Sequence, residues 1–177
     1  MSDAPTAPAD EIAEEPAAPE PELLHGVPVT TSRGDVVLHP DRDGYVALVE
    51  ELRRQGYWVC VDLCGVDYLG HTAGRWLPPG VEPERFEVVA NFLDHSDRRR
   101  VRIRLQVPES DPNVATITHV HPGVANHERE TFDLFGISFD GHPDLSRILM
   151  PPDWVGHPLR KDDPSGAVPV QFKGAAS

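Results

Sequence analysis

Residues 127 to 162 concentrate groups that could do chemistry. Glu128, Arg129, Glu130 and Asp133 stand in one short segment, followed by the pairs His142-Pro143 and His157-Pro158 and the cations Arg147, Arg160 and Lys161. Two chemistries fit those residue types. A carboxylic acid among apolar neighbours can serve as a general acid with a raised pKa, and Glu128 with His119, His121 and His127 could hold a metal in a free enzyme. Spacing argues against the metal. On a helix His127 projects about 100° away from Glu128, Pro122 and Gly123 cut His119 and His121 off from both, and the i,i+4 logic of HExxH is missing.

The element that must position these groups is a helix from about Val124 to Phe135, ended by Gly136. Its predicted apolar face carries Val124, Ala125, Glu128, Thr131, Phe132 and Phe135, with Glu128 near the middle. Arg129 and Asp133 form an i,i+4 pair at the border, and Glu130 points largely the other way. A carboxylate among phenylalanines must be protonated or paired. It is therefore a raised-pKa acid or part of a structural or interfacial ion pair.

After a brief strand at Ile137 to Phe139 the chain meets Pro143, Pro151, Pro152, Pro158 and Pro164, which force extended or turn conformations. The same segment carries Leu145, Ile148, Leu149, Met150, Trp154 and Leu159. The expectation is an arm over 141–177 that docks on another protein, with Trp154 and Arg160 as anchors.

Upstream, Tyr45, Leu48, Val49 and Leu52 share one helical face, with Asp41 or Asp43 as N-cap and Gly56 as stop. Strands are expected at "GDVVLH", at Tyr57 to Leu63, at "ERFEVVANFL" and at "RRRVRIRLQVP"; a short helix is expected after Asp111-Pro112. In the last strand Val101, Ile103, Leu105 and Val107 alternate with Arg100, Arg102, Arg104 and Gln106, the pattern of a half-buried strand with a solvated basic face. Cys60 and Cys64, read on a strand, lie roughly 13 Å apart and should not pair. Two thiols also cannot hold a four-cysteine cluster. No GxGxxG or GxxxxGK stretch is present.

Composition bounds the rest. The 177 residues suit one domain with tails, and the net charge of −13 argues against a nucleic-acid partner. Seven of the 29 acids fall in residues 1 to 24, which hold no base, so 1–26 is expected to be a disordered acidic tail rich in Pro and Ala. No secretory signal or membrane span is legible. The fold expected is α+β: a small mixed or antiparallel sheet with helices packed on it over 27–140, preceded by the tail and followed by the arm.

The run from "ERETFDLFG" through "GHPDLSRILMP" to "GHPLRKD", with "VDLCGVDY" and "RFEVVANFL" before it, closely resembles the signature of the 30 kDa, or C-type, subunit family of proton-translocating NADH:quinone oxidoreductase, respiratory complex I. The resemblance covers about residues 45 to 164. It departs at Asn126 and His127, where bulky aromatics are usual, at Ser146, where a basic residue is common, and in the longer 69–83 loop.

The resemblance implies a noncatalytic subunit without flavin, cluster or quinone of its own, on the cytoplasmic face of the membrane. FMN, iron–sulfur clusters and quinone would belong to other members of the complex. The chief partners would be the homologue of the D-type subunit and the subunit that holds the terminal cluster. Membrane contact would come only through the complex. Its structural motif maps onto Glu128, Arg129, Glu130, Asp133, Gly136, His142, Pro143, Asp144, Leu145, Arg147, Ile148, Leu149, Trp154, Gly156, Pro158, Leu159, Arg160, Lys161 and Asp162. Related membrane-bound hydrogenases and formate hydrogenlyases share such a subunit and form the alternative.

Overall fold

In the computed structural model, which describes residues 20–71 and 74–164, a six-stranded mixed sheet carries the core. In chain order its strands are β1 (Leu23–Leu24), β2 (Val27–Ser32), β3 (Asp35–Leu38), β4 (Val59–Asp67), β5 (Phe86–Asp94) and β6 (Arg99–Val107). The spatial order is β1-β2-β3-β6-β5-β4; β3 runs parallel to β6, and the other neighbours are antiparallel. Helix α1 (Tyr45–Arg54) links β3 to β4, and helix α2 (Ala125–Phe135) follows a 3₁₀ turn at Pro122–Val124. Two short strands, β7 (Asn113–Ala115) and β8 (Ser138–Asp140), pair in parallel as a second sheet.

The alternation in the sequence sets the layers. Phe86, Val88, Ala90 and Phe92 of β5 join Val101, Ile103, Leu105 and Val107 of β6 in one buried cluster. Onto it α1 lays Tyr45, Leu48, Val49 and Leu52, the face expected from the spacing. Each of these side chains is almost wholly removed from water, worth about 1.5–3 kcal/mol apiece in transfer terms for the larger ones.

Several local expectations are corrected. Gly44, not an aspartate, is the N-cap residue of α1; Asp41 accepts from its N–H at 2.6 Å instead. The segment after Asp111-Pro112 is strand β7 rather than a short helix, in keeping with its β-branched Val114, Thr116 and Ile117 and its pairing to β8. Leu23–Leu24, placed in the acidic tail by composition, pairs with β2. Residues 1–19 of that tail and 165–177 of the arm lie outside the described residues.

A register shift between Cys60 and Asp62 decides where the thiols go. Cys60 stands opposite buried Phe92, whereas Cys64 stands opposite Val89 on the other face. One extra residue inverts the side-chain alternation downstream of it. Burial pushes the Cys60 thiol up to about 12 and also raises that of Cys64, so neither is a ready thiolate.

Candidate functional site

Helix α2 sits against β4 at very short range. A Cβ on Gly65 would come within 2.8 Å of the Phe135 ring and 3.0 Å of the Thr131 methyl, so only glycine permits this approach. At its far end Gly136 adopts φ 70° and closes the helix, its N–H donating to the carbonyl of Phe132 at 2.8 Å. His157 and Arg160 crowd the place where a Cβ would stand on Gly136. The helix end is thus shaped to receive the segment that returns over it.

Two carboxylates of α2 are fully covered, and each is satisfied differently. Glu128, 0% exposed, accepts from the Thr116 hydroxyl at 2.5 Å and the Ile117 N–H at 2.9 Å. His142 Nε2 lies 3.9 Å from it and donates to the carbonyl of Ala125, while His142 Nδ1 accepts from the Asp144 N–H. Burial raises the Glu128 pKa, and the Thr116 and Ile117 donors only partly oppose it. A carboxyl with a raised folded pKa contributes stability that is complete below its unfolded value and is lost as pH rises through the folded value. Glu128→Gln, which keeps an acceptor for Ile117 and removes the buried charge, should therefore match or exceed the native chain in urea melts at pH 8. Glu128→Ala, which strands the Ile117 N–H, should fall by about 1–3 kcal/mol at acid pH, the difference from the native chain narrowing as pH rises.

Asp133 is the second covered carboxylate, and it is a hub. Its Oδ1 accepts from Arg147 at 2.6 Å, and its Oδ2 accepts from the successive backbone N–H groups of Ile148, Leu149 and Met150 at 3.0, 2.8 and 2.8 Å. Burial alone would raise its pKa, but these donors outweigh it and bring the group down from 3.8 to about 2. Arg147 also reaches the carbonyls of Asp133 and Gly156. Arg129 does not pair with Asp133 as its spacing suggested; it donates to the carbonyls of Ser146 and Arg147 and to the Ser146 hydroxyl.

Farther along, the Leu159 N–H donates to the carbonyl of Leu134, and Arg160 Nε donates to that of Phe135 at 2.6 Å, its guanidinium 5.0 Å from the centre of the Phe86 ring. A second fastening lies beyond. Asp67 holds Arg85 through two nitrogens at 3.1 and 3.0 Å and also accepts the Lys161 N–H, while Arg85 reaches Glu109 and Asp162. Residues 142–164 contain no α-helix or strand, yet hydrogen bonds tie them along α2.

Several apolar side chains of the same segment remain partly or largely in water. Val155 is 92% exposed, Leu149 59%, Leu159 48% and Trp154 37%. Leu145 alone among the segment's large apolar groups packs against the core cluster. Glu130 is exposed beside this surface, lining with Leu134, Phe135 and Leu159 a groove that reaches Cys64.

The remaining histidines disperse. His119 lies 3.8 Å from Glu50, His127 3.9 Å from Asp62, and the His121 ring packs on Phe92. Among the described residues no three His, Cys, Asp or Glu side chains are grouped to hold a metal ion. The arginine face of β6 is also not simply solvated. Arg104 binds Glu87, itself 1% exposed, through two nitrogens at 2.7 and 3.0 Å, and Arg75 from the 69–83 loop joins them by donating to Glu87 and Gln106. Strand periodicity could not reveal this, because Arg75 arrives from a loop distant in sequence.

Residues 38–168 match the family model described as respiratory-chain NADH dehydrogenase, 30 Kd subunit. The chain belongs to this family. It is 47% identical over 143 residues to the C-type NADH-quinone oxidoreductase subunit of Roseiflexus castenholzii, covering 79% of the chain and 76% of that protein. It is 41% identical over 150 residues to the corresponding protein of Saccharopolyspora erythraea, covering 83% of the chain but 56% of that protein; it thus spans little over half the length of some relatives. Among solved structures, a trypsin-resistant fragment of Nqo5 matches with a TM-score of 0.58 at 33% identity, covering 68% of the chain and 90% of the fragment. An archaeal membrane-bound sulfane sulfur reductase shares the fold, with a TM-score of 0.53 at 17% identity.

Family membership gives the fastened arm its context. Within "GHPLRKD", His157, Leu159, Arg160, Lys161 and Asp162 each hydrogen-bond to the domain before residue 141 through side chain or backbone, and Gly156 accepts from Arg147 of the segment itself. Among the described residues no helix is long and apolar enough to cross a membrane.

Proposed function

We propose that the chain is a noncatalytic structural and assembly subunit of the cytoplasmic peripheral arm of NADH:quinone oxidoreductase. That complex passes electrons from NADH through FMN and iron–sulfur clusters to quinone, coupled to proton translocation. The flavin, clusters and quinone reside in other members of the complex; this chain contacts chiefly the homologue of the D-type subunit and the subunit that holds the terminal cluster. The names of its relatives support the complex.

The observation that carries the structural role is the division of labour in residues 142–164. Their backbone is pinned to α2 through Asp133 and the Leu134 carbonyl, while Leu149, Trp154, Val155 and Leu159 face outward. A pinned backbone loses little further entropy on docking, so exposed apolar groups upon it bind at lower cost. Affinity purification of the tagged chain from native membranes should recover NADH-oxidising quinone reductase with FMN and nonhaem iron. Recovery of the chain alone, or with a complex that does not oxidise NADH, would refute the assignment.

A further inference from the structure

A pocket of about 350 Å³ opens between the end of β3 and the 80–84 segment, on a part of the surface that the arm does not use. Three carboxylates border it: Asp41, Glu82 and Glu84. Among the described residues neither Glu82 nor Glu84 has an ion-pair or hydrogen-bond partner for its side chain. Arg42, the one cation on the described wall, is already committed to Asp111 at 2.8 Å and to the carbonyls of Asp111 and Asn113. Among the described residues the carboxylates of Glu82 and Glu84 thus lack a direct cationic partner, while Arg75 donates to the Glu84 backbone carbonyl and to Glu87.

His39 supplies the second, independent feature. It lines the pocket and is 1% exposed; its Nε2 lies 2.8 Å from the Thr30 hydroxyl, and its Nδ1 has no partner. Burial, then the nearby Arg104, lower its pKa to about 4, so it adds no positive charge at neutral pH. A buried polar atom without a partner costs stability unless something in the assembled state satisfies it. Pro28, Pro40, Val81 and Pro108 supply apolar wall, and Gln106, whose amide is already bonded to Arg75, the Glu84 N–H and Glu87, completes it with Gly80.

Carboxylates at the rim, an uncommitted ring nitrogen and apolar walls together suit a side chain with a methylene stem and a cationic, multiply donating head. We propose that this pocket receives an arginine side chain from a neighbouring protein chain. The stem lies along the prolines, and the guanidinium faces Glu82 and Glu84. Glu82 and Glu84 both line the pocket while Pro83 between them does not. Arginine fits better than lysine, because its planar fork serves two carboxylates at once.

The inference goes beyond the assembly role and needs from it only that a neighbour exists. The test therefore uses a peptide rather than the complex. The isotopically labelled 177-residue chain is titrated at low salt with acetyl-Gly-Arg-Gly-amide and observed by NMR. Saturable shifts are expected at the His39 ring and at the amides of Gly80 and Val81. The double variant Glu82→Gln/Glu84→Gln should bind about tenfold more weakly, since both charge-assisted acceptors are lost. Its folding is not at risk from lost side-chain contacts, and its amide spectrum checks that. The lysine analogue should bind more weakly than the arginine peptide. The proposal is overturned if acetyl-Gly-Gly-Gly-amide gives the same shifts, if no saturable shift appears at those positions, or if the double variant binds as well as the native chain.

Discussion

Asp133→Ala should destabilise the chain by about 3–5 kcal/mol, the usual consequence of removing one partner from a buried, hydrogen-bonded pair. Arg147 would keep its charge with only 17% of its side chain exposed, and the N–H groups of Ile148, Leu149 and Met150 would lose their common acceptor. The loss should be local first. Amide exchange at residues 148–150 should accelerate by orders of magnitude, while the β5 and β6 amides follow the global stability.

The acid limb carries an independent signature. Because the folded pKa of Asp133 is depressed to about 2 from 3.8, its contribution is full above the unfolded value and is lost as pH falls through the folded one. The native chain should therefore lose arm protection between pH 4 and pH 2, and Asp133→Ala should show no such step. Unchanged exchange at 148–150 in the variant would mean that the carboxylate does not hold the arm.

Trp154→Ala should have the opposite profile, leaving the isolated chain unchanged in thermal midpoint while reducing incorporation into the complex by about tenfold or more, as for an aromatic hot spot. The ring is 37% exposed beside exposed Val155, and its described hydrogen bond is the backbone one from its N–H to the carbonyl of Pro151. Truncation thus removes contact area without stranding a polar group.

Arg160, expected from the sequence to act with Trp154 as an anchor, separates from it here. Its guanidinium is used inside the domain, on the Phe135 carbonyl and over Phe86. Arg160→Ala should accordingly lower the stability of the isolated chain, by about 1–3 kcal/mol for a lost charge-assisted bond. Thermal melts of the two variants beside co-purification yields distinguish them. If Trp154→Ala melted like Arg160→Ala, and both assembled normally, the arm would be core and not interface.

Much of the domain was legible in the sequence because its signals are local. Alternation over β5 and β6 and the four apolar positions of α1 depend only on residue order within one element. The burial of Glu128 followed from helical period, and Gly136 as the helix stop followed from the freedom of glycine at positive φ. The family signature was likewise linear, a run of types from Glu128 to Asp162.

Pairings across distance were decided only by the tertiary structure. Arg129 and Asp133 have the spacing of an ion pair, yet each prefers donors and acceptors that residues 146–150 bring from the returning segment. Strand β7 reads as a helix start until β8 supplies its ladder, and the faces of Cys60 and Cys64 turn on a single-residue shift against β5. Arg75 reaches Glu87 from a loop whose path no periodicity encodes. The physical reason is common to all four. A buried charge or backbone group is satisfied by whichever partner arrives with the best geometry, and loops and β-ladders deliver partners from any distance along the chain.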